Sequence, residues 1–380
     1  MSLILSRLSR LRLLKPWLVV RRSSLLLLPS NDFSTSLMQN QTPPCEIIGA
    51  HWCEMKHGKH FGKLVVAFLN EGKTTSLDKK VSSEVVHNEF FPTTVLIGAS
   101  HGWVATLNDD EEGILCLQDD LKPVVSDGDL KRIWLPPLVT LPHCQTQVVT
   151  NVAMSTSSPE DEDCVVAVKF LGPQLSFCRP AQSKPEWTNI RVENPCFFSS
   201  PVVFSKKDDI FRITGSGRHL IGSWDPCKPS DKPKLQMLRF LNLPKLPTAI
   251  SEVMDSCSTT EHLMESESTG ETFLVKWYKK TVKIDQGVAI MKTKCAMVFK
   301  LEEEGNAVYT QDIGDLSIFL SRHEPFCVPA SSFPGLSPNA VYTMDVDESA
   351  LVNLRSFPFI ISTMHGVYRV PYLIPPQNID

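Results

Sequence analysis

The chain has 380 residues, 42% of them hydrophobic, with 28 prolines and a formal net charge of −4. So many prolines exclude an architecture of long helices, and eleven cysteines without a Cys-x-x-Cys pair exclude a disulfide scaffold or a zinc ribbon. Charge divides the chain into a basic start, +5 over the first 32 residues, and an acidic body of −9, which argues against nonspecific binding to nucleic acid.

Residues 1–32 read as an organellar transit peptide. Arg7, Arg10, Arg12, Lys15, Arg21 and Arg22 precede the single acid, Asp32, in a Leu- and Ser-rich stretch. Ile4, Leu5, Leu8, Leu11 and Leu14 recur at helical spacing, so an amphipathic helix is expected. Lys15-Pro16 and Arg21-Arg22 break the apolar run that a secretory signal or a membrane span requires. The frequency of arginine puts mitochondrion, with its matrix, ahead of plastid; a cytosolic or nuclear chain with a basic tail is the alternative. The leader would engage an import machinery, and no stable membrane insertion is expected.

Residues 33–90 read as a pre-domain segment with the first strands. His51, Cys53, His57 and His60 fall within ten residues and could ligate zinc or copper. Their spacing matches no common site, so a flexible lead-in is the preferred reading and no metal or cofactor is expected. Gly62 to Asn70 reads as a strand. From there short period-2 runs of Val, Ile, Phe, Tyr and Trp follow one another, bounded by Gly, Pro, Asn and Asp. Paired runs fall at Thr93 to Ile97 with Trp103 to Leu107, and at Cys164 to Leu171 with Gln174 to Cys178. Pro201 to Phe204 and Asp209 to Thr214 follow, then His219 to Trp224. Thr272 to Tyr278, Cys295 to Leu301 and Asn306 to Thr310 form the next group. Leu316 to Leu320, Ala340 to Met344, Phe357 to Met364 and Gly366 to Val370 end the series. Thr260 to Glu267 is the one helical candidate. Ser155 to Asp163, Asp225 to Lys245 and Phe326 to Pro338 read as loops.

This is an all-β chain, and hairpins recurring over some 300 residues suit a single β-propeller of short antiparallel strands. Blade cores are expected near Thr93, Cys164, Pro201, Thr272 and Ala340, within a domain at 91–372 whose closure may draw on the strand at 62–70. Residues 373–380 are set apart as a C-terminal tail. A pair of β-sandwiches is the competing architecture.

Several phrases carry a resemblance. They are Gly98-Ala99-Ser100-His101-Gly102-Trp103-Val104, Ile133-Trp134-Leu135-Pro136-Pro137-Leu138, Val165-Val166-Ala167-Val168-Lys169-Phe170, Leu175-Ser176-Phe177-Cys178-Arg179-Pro180, Glu186-Trp187-Thr188-Asn189-Ile190, Phe273-Leu274-Val275-Lys276-Trp277 and Val298-Phe299-Lys300-Leu301. Over about residues 90–350 the chain resembles the plant family built on domain of unknown function 295, whose members include F-box proteins with a KIB-type β-propeller. The resemblance implies a propeller and supplies no catalytic residues. F-box members would dock to a Skp-type ubiquitin ligase through a helical module. Here residues 37–90 show no such pattern, so the chain looks like an organelle-directed branch.

Other motifs read as structure. Gly98-Ala99-Ser100-His101-Gly102 matches the nucleophile elbow, but a strand rather than a helix follows it, so a hairpin is expected. Gly215-Ser216-Gly217-Arg218 opens no helix and reads as a turn, not a phosphate cradle. Trp103, Trp187, Trp224 and Trp277 read as core anchors. The acidic runs Asp109 to Glu112, Glu160 to Asp163 and Glu302 to Glu304 lack the spacing of a calcium loop and read as solvated tips. The expectation is a non-enzymatic module that binds an unknown protein partner in an organelle. The alternatives are a ubiquitin-ligase substrate adaptor and a hydrolytic or metal-dependent enzyme with its site in a propeller channel.

Overall fold

A computed structural model describes residues 41–379 apart from 57–58, 87–93, 109–112, 127–128, 143, 145–147, 218, 229, 286, 322, 347, 357–361 and 365–371. The leader, His57, Asp109 to Glu112, Arg218 and the strand expected at 366–370 therefore lie outside the described residues.

The strands form six sheets arranged as the blades of one propeller. The first blade combines β1 (Cys45–Lys56), β2 (Lys59–Phe68) and β3 (Lys73–Ser82) with β26 (Leu373–Ile374). The second holds β4 (Thr94–Ser100), β5 (Trp103–Asn108), β6 (Ile114–Gln118) and β7 (Arg132–Pro137). The third holds β8 (Val149–Met154), β9 (Val166–Phe170), β10 (Gln174–Cys178) and β11 (Thr188–Arg191). The fourth holds β12 (Val202–Ser205), β13 (Ile210–Gly215), β14 (Leu220–Trp224) and β15 (Lys234–Met237). In these three blades the strands are hydrogen-bonded in chain order.

The last two blades are less regular. The fifth runs β17 (Ser258–Glu265), β18 (Thr272–Asp285), β19 (Val288–Leu301), β20 (Asn306–Thr310), and then takes β16 (Arg239–Leu241) in parallel on its outer edge. The sixth contains β21 (Leu316–Leu320), β22 (Phe326–Pro329), β23 (Ala340–Asp345), β24 (Glu348–Asn353) and β25 (Ser362–Met364). Its order is β22-β21-β23-β24-β25, with β21 and β23 parallel.

Side-chain alternation explains why these sequences stack as blades. Successive residues of a strand point to opposite faces, and each face of a blade packs on a different neighbour. Val166 and Val168 of β9 join the core shared with the second blade, and Val165 and Ala167 join the core shared with the fourth. Phe273, Val275 and Trp277 pack toward the sixth blade, whereas Leu274 packs toward the fourth. Six such cores encircle the ring.

Two polar devices tie blades together. The Asn151 amide donates to the Val202 carbonyl at 2.7 Å and accepts from the Val202 N–H at 2.9 Å, which joins β8 to β12 as a strand ladder would. Lys169 is completely buried in β9. Its ammonium donates to the carbonyls of Phe170, Gly172 and Phe198, the last two at 3.0 Å. Burial pulls its pKa down to about 7, while the three carbonyls match the three N–H donors of the charged form. Lys169→Met strands those acceptors, and each buried unpaired group costs about 1–3 kcal/mol. Partial repacking offsets some of this, so an overall loss of about 3 kcal/mol is expected in a urea unfolding curve. An unchanged midpoint would show that the latch contributes nothing.

Several expectations need correction. Thr260 to Glu267 is not a helix: β17 occupies Ser258–Glu265, because pairing of its whole length with Thr272 to Lys279 of β18 outweighs a weak local pattern. A short helix lies upstream instead, at Thr248–Asp255, after Pro247. The loop expected at 225–245 contains β15 and β16, and the one at 326–338 contains β22. Residues 373–378, set apart above as a tail, lie in the ring: Leu373 and Ile374 pair with Glu46 and Cys45, and Gln41 bridges Asn378. Five blade cores were legible and six exist, because the first blade is assembled from both ends of the chain.

Candidate functional site

The inner strands β4, β8, β12 and β17 end at one mouth of the central channel, on Ser100, Met154, Ser205 and Glu265. Hydrogen bonds join these positions in two pairs, Ser100 with Met154 and Ser205 with Glu265, as parts of a polar belt. Ser100 Oγ donates to Glu324 Oε2 at 2.5 Å and accepts from the Met154 N–H at 3.0 Å. Glu265 accepts from the Ser205 hydroxyl and from the Lys207 N–H at 3.2 Å, and lies 3.6 Å from the Arg212 guanidinium. Its carbonyl accepts from Cys327 Sγ at 3.6 Å. Gln377 lies against Gly102 at the same mouth. Ser100 is buried and its hydroxyl is engaged, and His101-Gly102 forms the turn of the β4–β5 hairpin. The elbow motif is therefore a hairpin, as its sequence context implies.

The remaining sequence candidates are distributed as follows. His51 and Cys53 lie on β1 and His60 on β2, with Met55 opposite His60, so the tract expected as a flexible lead-in is a hairpin of the first blade. Among the described residues no three His, Cys, Asp or Glu side chains gather as a metal site. Of residues 37–90, where the adaptor reading requires a helical module, the described part is chiefly β1, β2 and β3, followed by a single helical turn at Ser83–Val86. Gly217 supplies a positive φ in the turn before β14. Trp103, Trp224 and Trp277 are buried in blade cores, and Trp187 donates to the Pro136 carbonyl at 2.7 Å, fastening the third blade to the second. Glu160 pairs with Lys131.

The feature that sequence reading missed is an arm. The expected strands stopped at Tyr278 and resumed at Cys295. The observed β18 and β19 each run 14 residues, against 3 to 8 for the other strands of the fourth and fifth blades. The hairpin therefore projects past its blade. Its base is an inter-blade network: Lys279 bonds Asp345 at 2.9 Å and lies 4.3 Å from the Trp277 ring centre. Trp277 donates to Thr293 Oγ1 at 2.9 Å, and the Thr293 N–H donates to Glu348. Beyond that base, β18 is solvent-exposed from Thr281 to Asp285, with Val282 50% and Ile284 69% exposed. Lys279, Lys280, Lys283, Lys292 and Lys294 line the arm against a single acid, Asp285. The signal was present in the sequence: Lys280-Thr281-Val282-Lys283-Ile284 continues the period-2 pattern up to a turn at Gly287.

Six blades around a channel, with inner strands joined at the mouth, define a six-bladed β-propeller. A family model described as the KIB1-4 beta-propeller matches residues 73–369. The chain belongs to the KIB1-4 β-propeller family. No curated protein matches it. Among solved structures, the β-propeller domain of Myceliophteria thermophila Cps50 (Swd1) is 9% identical with a TM-score of 0.36, covering 84% of this chain and 87% of that one. The glutaminyl cyclase of Myxococcus xanthus is 9% identical with a TM-score of 0.27, covering 71% and 92%. Dihydro-heme d1 dehydrogenase NirN is 13% identical with a TM-score of 0.29, covering 93% and 78%. Likenesses at these scores carry no argument about activity.

Proposed function

We propose that the protein is a non-catalytic binding module that holds a protein partner inside an organelle, the mitochondrial matrix, as a targeted member of the plant domain-of-unknown-function 295 branch. The observation that supports binding is the β18–β19 arm, a two-stranded extension presenting Val282 and Ile284 to solvent. Recognition elements raised on a rigid scaffold are the usual way a propeller engages a partner. The belt at the channel mouth fits a structural role, because the Ser100, Ser205, Arg212 and Glu265 side chains bond one another or the backbone. The address is supported by the Arg-rich, acid-poor start.

Two measurements test the proposal. A fusion of residues 1–40 to a fluorescent protein is expected to enter mitochondria; a cytosolic fusion would overturn the compartment. Affinity purification of the full chain from isolated organelles is expected to recover one stoichiometric protein. Recovery of none would overturn the binding role.

A further inference from the structure

We infer that the β18–β19 arm docks an acidic, apolar-spaced segment of the partner protein, the lysines meeting its carboxylates and Val282 and Ile284 its apolar side chains. This inference rests on the reading of the protein as a binding module and adds where and what it binds.

Charge placement carries the argument. The body as a whole is acidic, yet five lysines and one aspartate occupy residues 279–294. Lys280 and Lys292 stand directly opposite each other in the ladder, and of this like-charge pair Lys292 has Glu348 at 3.8 Å as a counter-charge. Among the described residues no carboxylate lies within ion-pair distance of Lys280 or Lys294. At the base Asp345 is held by Lys279, and Glu348 by the Thr293 N–H and by Lys292 at 3.8 Å. Lys283 reaches only Asp285, at 3.5 Å, with both side chains well exposed, a pairing worth little in water.

The apolar residues make the surface more than a solvated basic edge. Lysines alone would serve to discourage strand-to-strand aggregation. Val282 and Ile284 do the opposite, since they place β-branched apolar groups among those lysines in the exposed half of the strand. A surface with apolar anchors inside a ring of one charge matches a segment of the opposite charge with apolar residues at intervals. An anionic bilayer is the other macromolecular surface with that charge. It is disfavoured because Asp285 sits at the tip of the arm and would enter the headgroups first.

The test uses the purified full chain and two labelled 15-residue probes. One repeats Glu-Leu-Asp-Glu-Val three times; the other replaces each acid by lysine. The acidic probe is expected to bind, to weaken as salt rises from 50 to 300 mM, and to lose at least tenfold in affinity to a Lys280→Glu/Lys283→Glu/Ile284→Ser variant. A Lys280→Arg/Lys283→Arg variant, which keeps the charge, is expected to bind as the parent does, and an unchanged urea midpoint in both shows that the fold is intact. Equal binding of both probes, or no loss in the charge-reversed variant, would overturn the assignment. So would preferential binding to phosphatidylserine vesicles, or charge-dependent dimerisation of the chain in place of probe binding. If organelle purification recovers the same partner with the parent and the charge-reversed chain, the arm is not the site and the binding role stands. If neither recovers a partner, the role itself fails.

Discussion

Replacing Gly335 by alanine is expected to cost about 3 kcal/mol or more, and to lower the thermal midpoint by several degrees. Gly335 lies between the short helical turn Ala330–Ser332 and β23. It has φ +105°, and a methyl group there would lie 1.9 Å from the Asn70 carbonyl oxygen. Backbone strain alone costs roughly 1–3 kcal/mol at such a φ, and an overlap of that depth forces the two segments apart. Those segments are the seam between the sixth blade and the first, where Phe319, Val328, Phe333 and Leu336 pack with Leu373. The loss is therefore not confined to one loop: it opens the junction that closes the ring. Calorimetry on the parent and the variant is the measurement. A midpoint within a degree of the parent would refute the claim that the seam is this tight.

Acidification is expected to destabilise the protein through His262. This residue is buried on β17 beside Trp277, with Nε2 at 3.1 Å from the Thr260 hydroxyl and Nδ1 without a partner among the described residues. Burial, reinforced by the nearby Lys279 and only partly opposed by Asp345, pulls its pKa from 6.5 down to about 3. The sign follows directly. Between those two values the unfolded chain holds a proton that the folded chain refuses, so stability is complete above pH 6.5 and falls as pH falls toward 3. One such proton is worth up to about 1.4 kcal/mol per pH unit. From pH 6 to pH 4 the parent should lose about 2.5 kcal/mol more than a His262→Gln variant in urea unfolding. Parallel pH profiles would mean that the ring is protonated in the fold.

Much of this architecture was legible because a propeller blade obeys the period-2 rule on both faces. Cys164 to Leu171 reads as a strand from its residues alone and holds β9 at Val166–Phe170, and β10, β20 and β21 fall where their apolar alternation predicts. What escaped was specified by contacts far along the chain. Nothing in Ser258-Thr259-Thr260-Glu261 announces a strand until β18 lies beside it. Leu373 and Ile374 make a strand only because Glu46 and Cys45 offer an open edge. Lys169 illustrates the limit at the level of one side chain: in sequence it is the polar break in an apolar run, and in the fold it is among the most buried residues. The conspicuous motifs, the elbow glycines and the His/Cys tract, are parts of hairpins. The arm is built from an unremarkable Lys-rich run.

The two-residue strand β26 has a consequence for how the molecule is made. Until Leu373 and Ile374 arrive, β1 presents Cys45 and Glu46 on an unpaired strand edge, next to apolar groups that form the core with Ile374 and Tyr372. Contacts that join the two ends of a chain are slow to form, and an unpaired edge is a template for wrong pairing while it waits. Five blades can mature with sequence-local pairings, but the first lacks its edge strand until the last. Folding yield, rather than final stability, is the property most exposed at this joint.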